Sequence, residues 1–436
     1  MFMEEIPKHD LENIIEQAIT FPVCTSHFVG NETLRFDSSS DYAKVSWAND
    51  SIHILELFHG PTYTFKDIGM QFLGRLMGYL LDQQEKQEKI SILVATSGDT
   101  GSAAIHAVEN HPLIELFVLY PGNGRISNLQ ERQMATNTSD NIHCIRFDGC
   151  SDDVDVVVSR LFQTESLKPF RLTTLNSVNI GRILMQTVHF IFSYVQCFAT
   201  KILQSAKDGK PLPPVRFCIP TGGLGNGSSC YLAKCMGLPV ERIIMAVNEN
   251  DTISRTLATG TFKMEDVKVT NAPAMDICNP YNIERLLYLM SNRNAELVQS
   301  FIKNQSLPAG AKLDNKVFES LKNQFSSYSA DQSEVCSTIK NIHKQWNEII
   351  DPHTAVAVCV AKKLPESDNS DTPLICVATA HPAKFPETIE NITGEPYTLP
   401  EPLQCLLEKQ LHVTDMELDT MEDSVAEMIR QFYPRQ

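Results

Sequence analysis

The chain has 436 residues, 42% of them hydrophobic, enough to bury a sizeable core, and its length predicts two or three domains. A formal net charge of −16, spread along the sequence, argues against a nucleic-acid partner, because affinity for phosphate backbones is carried by clustered Lys and Arg. The twelve cysteines include no Cys-x-x-Cys pair, so neither a zinc spacing nor a dense disulfide framework is indicated. No metal is expected, and reduced thiols in a cytoplasmic compartment fit best. No apolar run reads as a membrane span, and Met1-Phe2-Met3-Glu4-Glu5 is acidic rather than signal-like or presequence-like, so no membrane partner is expected either.

Residues 7–20 place Leu11, Ile14, Ile15 and Ala18 at helical spacing, with Asp10 as candidate N-cap. A polar loop near 30–50 follows; residues 52–57 then alternate in part like a strand and deliver the chain to His59-Gly60-Pro61. From Phe65 onward, Ile68, Phe72, Leu73, Leu76, Met77, Leu80 and Leu81 recur three or four apart, predicting a helix with one buried face and Lys66 at its N-terminal end. The partial positive charge of a helix start disfavours an ammonium and helps lower a lysine toward the neutral amine that attacks an aldehyde. Lys66 is therefore a candidate Schiff-base lysine, although a surface lysine opening an amphipathic helix has the same local pattern.

Three small-residue turns between strand and helix patterns come next. Residues 90–95 read as a strand running into Thr96-Ser97-Gly98-Asp99-Thr100-Gly101-Ser102 and a helix, an arrangement whose free N–H groups suit a carboxylate or a phosphate, or simply a capped βα turn. Strand-like 114–120 and 142–147 alternate with helical 127–136 and 152–163, which argues for parallel α/β sheets. Asn176-Ser177-Val178-Asn179-Ile180-Gly181-Arg182 then precedes the apolar helix 183–198, where Arg182 offers a bidentate clamp for a phosphate or a solvated helix start. After a Pro-rich link at 210–214, strand 215–219 feeds Pro220-Thr221-Gly222-Gly223-Leu224-Gly225-Asn226-Gly227 ahead of a helix at 230–236. These four glycines allow backbone amides to approach a phosphate closely. Another strand is expected at 242–247, a polar and mostly helical peripheral layer at 300–345, a buried strand at 374–378 ending in Thr379-Ala380-His381-Pro382, and an acidic terminal helix at 413–432.

Taken together and in this order, these blocks resemble threonine synthase, a pyridoxal-phosphate enzyme of the tryptophan-synthase-β fold type. The resemblance runs from near residue 5 to about 400. It is carried by His59-Gly60-Pro61-Thr62 with Phe65-Lys66-Asp67, by residues 96–101, by Asn176-Ser177 with Asn179 and Arg182, and by residues 234–239. Ala274-Met275-Asp276, Asp351-Pro352-His353 and residues 379–385 complete it. It implies an α/β fold of two parallel-type open sheets flanked by helices, the fold-type II pyridoxal-phosphate architecture. Residues 1–89 would carry the Schiff-base lysine, 90–200 a smaller substrate-binding α/β domain, and 201–436 part of the larger cofactor domain with peripheral helices.

Carried over residue by residue, the resemblance implies that Lys66 forms the internal aldimine and that Thr221, Gly222, Gly223, Leu224, Gly225 and Asn226 hold the cofactor phosphate. Asp99 would contact the cofactor, and Thr379 would face the pyridine nitrogen. Ser97, Gly98, Thr100, Ser177, Asn179 and Arg182 would bind the anionic groups of O-phosphohomoserine, a small substrate taken by a cytoplasmic monomer or homodimer. The implied reaction eliminates phosphate and adds water at Cβ to give threonine.

Departures from the pattern leave two alternatives open. The family loop is usually Ser-Gly-Asn-Phe-Gly, whereas Thr221-Gly222-Gly223-Leu224-Gly225 and Tyr63 look more like the animal threonine-synthase-like proteins, which resemble phospho-lyases releasing a 2-oxo acid; residues 379–382 instead look like true synthases. The family's N-terminal Tyr-x-Ser-Thr-Arg-Gly segment has no counterpart here. That leaves a non-catalytic binding protein as the other alternative.

Overall fold

The computed structural model describes residues 6–21, 25–27, 45–47, 50–365, 368 and 372–433. In chain order its strands are β1 (Thr25–His27), β2 (Val45–Trp47), β3 (Asp50–Glu56), β4 (Ile90–Ala95), β5 (Ile114–Pro121), β6 (Ile142–Phe147) and β7 (Leu172–Thr173). There follow β8 (Val215–Pro220), β9 (Val240–Val247), β10 (Thr261–Phe262), β11 (Ala311–Lys312), β12 (Phe325–Ser329), β13 (Leu374–Ala378) and β14 (Thr414–Met416). The helices that bear on the site are α1 (Lys8–Ala18), α2 (Lys66–Asp82), α3 (Asp99–Val108), α4 (Asn128–Ala135), α5 (Ser151–Gln163), α6 (Ile180–Asp208) and α7 (Gly225–Cys235).

Two sheets organise the chain. The larger runs β1-β3-β13-β8-β9-β12, parallel from β3 to β12, with β1 and β2 antiparallel to β3. The smaller runs β14-β6-β5-β4-β7 and is parallel throughout. Strands β4, β5, β8 and β13 are buried along their whole length, as parallel strands covered on both faces must be, which is why their sequences are near-continuous apolar runs rather than alternating ones. The expected α/β class with two parallel-type sheets flanked by helices is the observed one.

Several details differ from expectation. Asp10 does not cap α1: Pro7 stands at the cap, and Asp10 lies in the first turn, accepting a hydrogen bond from Tyr79 at 2.7 Å. Of the polar loop expected near 30–50, residues 28–44 and 48–49 lie outside the described residues, as does the acidic stretch 1–5, and Val45–Trp47 is strand. Within the layer expected to be polar and helical, Phe325–Ser329 is a strand paired with β9 at the edge of the larger sheet among the described residues; it is only partly buried, so its Ser-rich sequence lacks the apolar signal. The terminal segment is not helix alone, since β14 joins the smaller sheet and the helix Leu418–Gln431 packs Met421, Val425 and Ile429 against it. Finally, α6 is long and apolar enough by length and composition to cross a membrane, which the sequence reading did not anticipate. Phe190, Tyr194 and Phe198 on that helix belong to the largest buried cluster, with Phe217 and Ile243 of the larger sheet.

Candidate functional site

The expected turns all follow the carboxyl ends of parallel strands, the side on which open α/β sheets build ligand clefts. Thr96 and Ser97 follow β4, Thr221 to Leu224 follow β8, and Thr379 follows β13. The Lys66 segment is stitched to the last of these. Phe65 N–H donates to the Thr379 carbonyl at 2.9 Å, His381 N–H to the Tyr63 carbonyl at 3.1 Å, and Thr64 and Ala380 form an antiparallel bridge. The first residue of α2 is thereby fixed against the end of the larger sheet, and Lys66 opens into a cleft of about 1030 Å³, its open mouth included.

Lys66, Ser97, Asp99, Thr100, Ser177, Arg182, the run Thr221 to Asn226 and Thr379 all line that cleft. Gly98 and Asn179 do not. Gly98 caps α3 at φ 116, where its lack of Cβ also avoids the Gln130 side chain, and Asn179 caps α6, accepting from Gly181 N–H at 3.0 Å and donating to the Thr174 carbonyl at 2.9 Å. Tyr63 also lies off the lining, at φ 62 with its ring against His381.

The glycine loop has the geometry of a phosphate cradle. Helix α7 begins at Gly225, inside the glycine run, so its first N–H groups have no intrahelical acceptor and face the cleft end. Leu224 reaches this start in the left-handed region at φ 63. A Cβ on Gly222 would lie 2.6 Å from the Ala274 carbonyl oxygen, so only glycine lets the loop pass there, whereas at Gly223 the nearest atom would be 3.8 Å away. Asn226 is buried with its Nδ2 unpartnered among the described residues, its Oδ1 being held by His189 Nε2 at 3.0 Å. A free amide donor beside open helix amides fits a phosphorylated cofactor.

A second polar group lines the same cleft. Arg182 is 2% exposed, donates from Nη1 to the Leu175 carbonyl at 2.6 Å, and has an Nε with no partner among the described residues. Burial lowers its guanidinium to about 10, with Tyr281 and Asp67 acting the other way. A buried cation that no carboxylate meets in an ion pair among the described residues is costly unless an anion completes it. Ser177 joins this centre, with its Oγ 3.1 Å from Tyr281 Oη and accepting from Asn282 Nδ2 at 2.8 Å.

Asp99 connects the lysine to the rest. Lys66 Nζ lies 3.3 Å from Asp99 Oδ2 with its side chain 13% exposed. Burial pushes the Lys66 ammonium down, Asp99 opposes this, and Lys384 and Arg182 reinforce it. Burial alone would raise the Asp99 carboxyl, but Lys384, Lys66 and a hydrogen bond from Gln130 hold it well below the usual carboxylate range. The outcome is an ionised Asp99 beside a lysine biased toward its neutral amine.

Sequence reasoning did not assign Lys384, Gln130, Asp152, Asp155, Tyr281 or His353 to the site. Lys384 and His353 lie in blocks that carry the family resemblance, so a signal existed for them. Tyr281, Asp152 and Asp155 belong to segments with no motif, and only folding brings them to the cleft.

Comparison with known proteins agrees with this geometry. Residues 354–429 match the family model "Threonine synthase, C-terminal". The threonine synthase of Saccharomyces cerevisiae is 34% identical, the alignment covering 98% of this chain and 86% of that one. Threonine synthase-like 2 of Xenopus laevis is 33% identical over 98% of this chain and 84% of its own length. Among solved structures, pyridoxal-phosphate-bound threonine synthase from Brucella melitensis superposes with a TM-score of 0.81 at 33% identity, covering 98% of this chain and 85% of that chain.

Proposed function

Because the chain belongs to the threonine synthase family, we propose that it is a pyridoxal-phosphate-dependent lyase that eliminates phosphate from O-phosphohomoserine and adds water to give L-threonine. The observation that supports this reading is that Lys66 shares one cleft with two features suited to anions, the glycine loop at the start of α7 and the buried guanidinium of Arg182. One centre suits the cofactor phosphate and the other the substrate phosphate. Within the same reading the protein acts in the cytoplasm as a monomer or homodimer.

What pyridoxal phosphate supplies when bound is an aldehyde for amine chemistry and a ring that withdraws electrons from the substrate carbons. The protein's own residues do the rest. The amides of the Thr221 to Asn226 loop would hold the cofactor phosphate, and Thr379, which lines the same cleft, would offer the ring nitrogen a hydroxyl, which, unlike a carboxylate, does not keep it protonated. Arg182, aided by Ser177 and by Ser97 and Thr100 at the start of α3, binds the substrate phosphate and stabilises it as it leaves. Lys66, as a free amine next to Asp99, takes a proton from Cα and returns protons along the substrate chain.

The test is to incubate the purified protein with pyridoxal phosphate and O-phosphohomoserine, then measure inorganic phosphate and identify the organic product. Phosphate with threonine supports the proposal. Phosphate with 2-oxobutyrate and ammonia would place the chain among lyases that release the oxo acid, and no phosphate above a protein-free control would make it a binding protein. A Lys66→Ala protein that kept the visible absorbance of bound pyridoxal phosphate would remove Lys66 from its role.

A further inference from the structure

A lysine enclosed completely by protein needs its charge matched, because an unpaired buried ammonium is strongly disfavoured. Lys384 is such a residue: its side chain is 0% exposed, its Nζ lies 3.0 Å from Asp99 Oδ1, and it donates to the Thr62 carbonyl at 2.8 Å. Its backbone is pinned as well. Ser127 Oγ donates to the Lys384 carbonyl at 2.6 Å, and Lys384 N–H donates to the His381 carbonyl at 3.1 Å.

The two oxygens of Asp99 are divided between the two lysines. Oδ1 takes Lys384 and Gln130 Nε2, the latter at 2.8 Å, while Oδ2 takes Lys66 Nζ at 3.3 Å and Thr64 Oγ1 at 3.4 Å. Lys384 has two oxygen acceptors and no access to the cleft; Lys66 has one longer contact and opens into it. Charge counting then decides which lysine loses its proton. With Lys384 charged and Asp99 ionised the pair is neutral, and, burial having raised the Asp67 carboxyl, a charged Lys66 would add positive charge to a cleft already holding Arg182.

We propose that Lys384 is a positioning residue for Lys66: it is the standing counter-ion of Asp99, so that Lys66 is aimed by a carboxylate whose charge is already matched. Lys66 stays held at Oδ2 while free to act as an amine. The inference rests on the proposed role of Lys66 and adds the residue that keeps it unprotonated. Without Lys384, Asp99 would pair with Lys66 and lock it as an ammonium. The other ionisable groups facing the trio are Arg182 beside Lys66, His353 on the Asp99 side, and Asp67 and His381 around Lys384.

The experiment reads Lys66 directly and without the cofactor. Wild type, Lys384→Gln and Gln130→Leu proteins, each shown folded by circular dichroism, are trace-acetylated between pH 6 and 11, and modification of Lys66 is counted by mass spectrometry. Lys384→Gln is expected to move the Lys66 titration upward and cut its reactivity at pH 7.5 by about tenfold or more, one pKa unit being tenfold. Gln130→Leu, which removes a neutral donor from the same oxygen, should leave the titration in place; a merely structural role would move both alike. Should Lys384→Gln fail to fold, Asp99→Asn leaves Lys384 as an uncompensated charge beside Lys66 and should move the titration downward. An unmoved Lys66 titration in folded Lys384→Gln, or in Asp99→Asn, overturns the inference. Failure of wild-type Lys66 to bond pyridoxal phosphate would instead overturn the proposed function, so the two are separable.

Discussion

His353 Nε2 accepts the backbone N–H of Ala274 at 3.1 Å while its Nδ1 is held 2.8 Å from Asp351 Oδ1. The imidazole proton therefore sits on Nδ1, and the ring is a strut between the start of helix Pro352–Lys362, capped by Asp351, and the turn that walls the glycine loop. Replacing His353 with leucine removes the acceptor for Ala274 N–H and leaves the Asp351 carboxylate, which is 1% exposed, short of a donor. We expect weaker binding of pyridoxal phosphate, by about tenfold, with a loss of stability of about 1–3 kcal/mol. Spectroscopic titration with the cofactor and urea melts measure the two; unchanged cofactor affinity would show that the strut does not reach the loop.

The same wall makes the neighbouring glycines unequal. Gly222→Ala would set a Cβ 2.6 Å from the backbone oxygen of Ala274, and backbone does not yield easily, so the loop must shift. Gly223→Ala meets nothing nearer than 3.8 Å. Cofactor affinity should fall by about tenfold or more in the first variant and stay within about twofold in the second, a misplaced cradle losing donor geometry. Equal affinities would contradict a cradle built by this loop.

Arg182 should behave as an anion receptor rather than a structural cation. Its Nη1 bonds the Leu175 carbonyl while Nε has no partner among the described residues, and Arg182→Lys keeps a charge but loses the planar donor set. We expect binding of inorganic phosphate, followed calorimetrically, to weaken by about tenfold or more in Arg182→Lys, with cofactor binding retained. Parallel loss of both would mean that Arg182 serves the fold and not the substrate.

Asp155 predicts a pH effect. Burial in the cleft wall, with Asp152 adding to it, pushes its carboxyl up to about 7, above an unfolded value of about 4. A carboxyl raised on folding contributes stability fully present below about pH 4 and lost as pH rises through about 7. Asp155→Asn should therefore match wild type in thermal melts near pH 4 and exceed it at pH 8. It should also bind inorganic phosphate more tightly at pH 8, since an ionised carboxylate no longer opposes an anion. A Tm difference independent of pH would remove Asp155 from this role.

Much of this protein was legible from residue order alone. Continuous apolar runs at 90–95, 215–219 and 374–378 announce parallel strands buried on both faces. The apolar spacing after Phe65 announces α2 with Lys66 at its start, and the glycines after β8 announce a cradle because backbone freedom is a property of the residue itself. These are local consequences of side-chain size and period. Sequence could not pair residues brought together across the chain: Lys384 on Asp99, Tyr281 on Ser177, His353 on Ala274, or the return of Thr414–Met416 to the smaller sheet. Lys66 on its own is a lysine at a helix start. Its character as an amine comes from desolvation and from charges supplied 33 residues away by Asp99 and by Lys384 beyond it, and burial and charge pairing exist only once the strands' ends have converged.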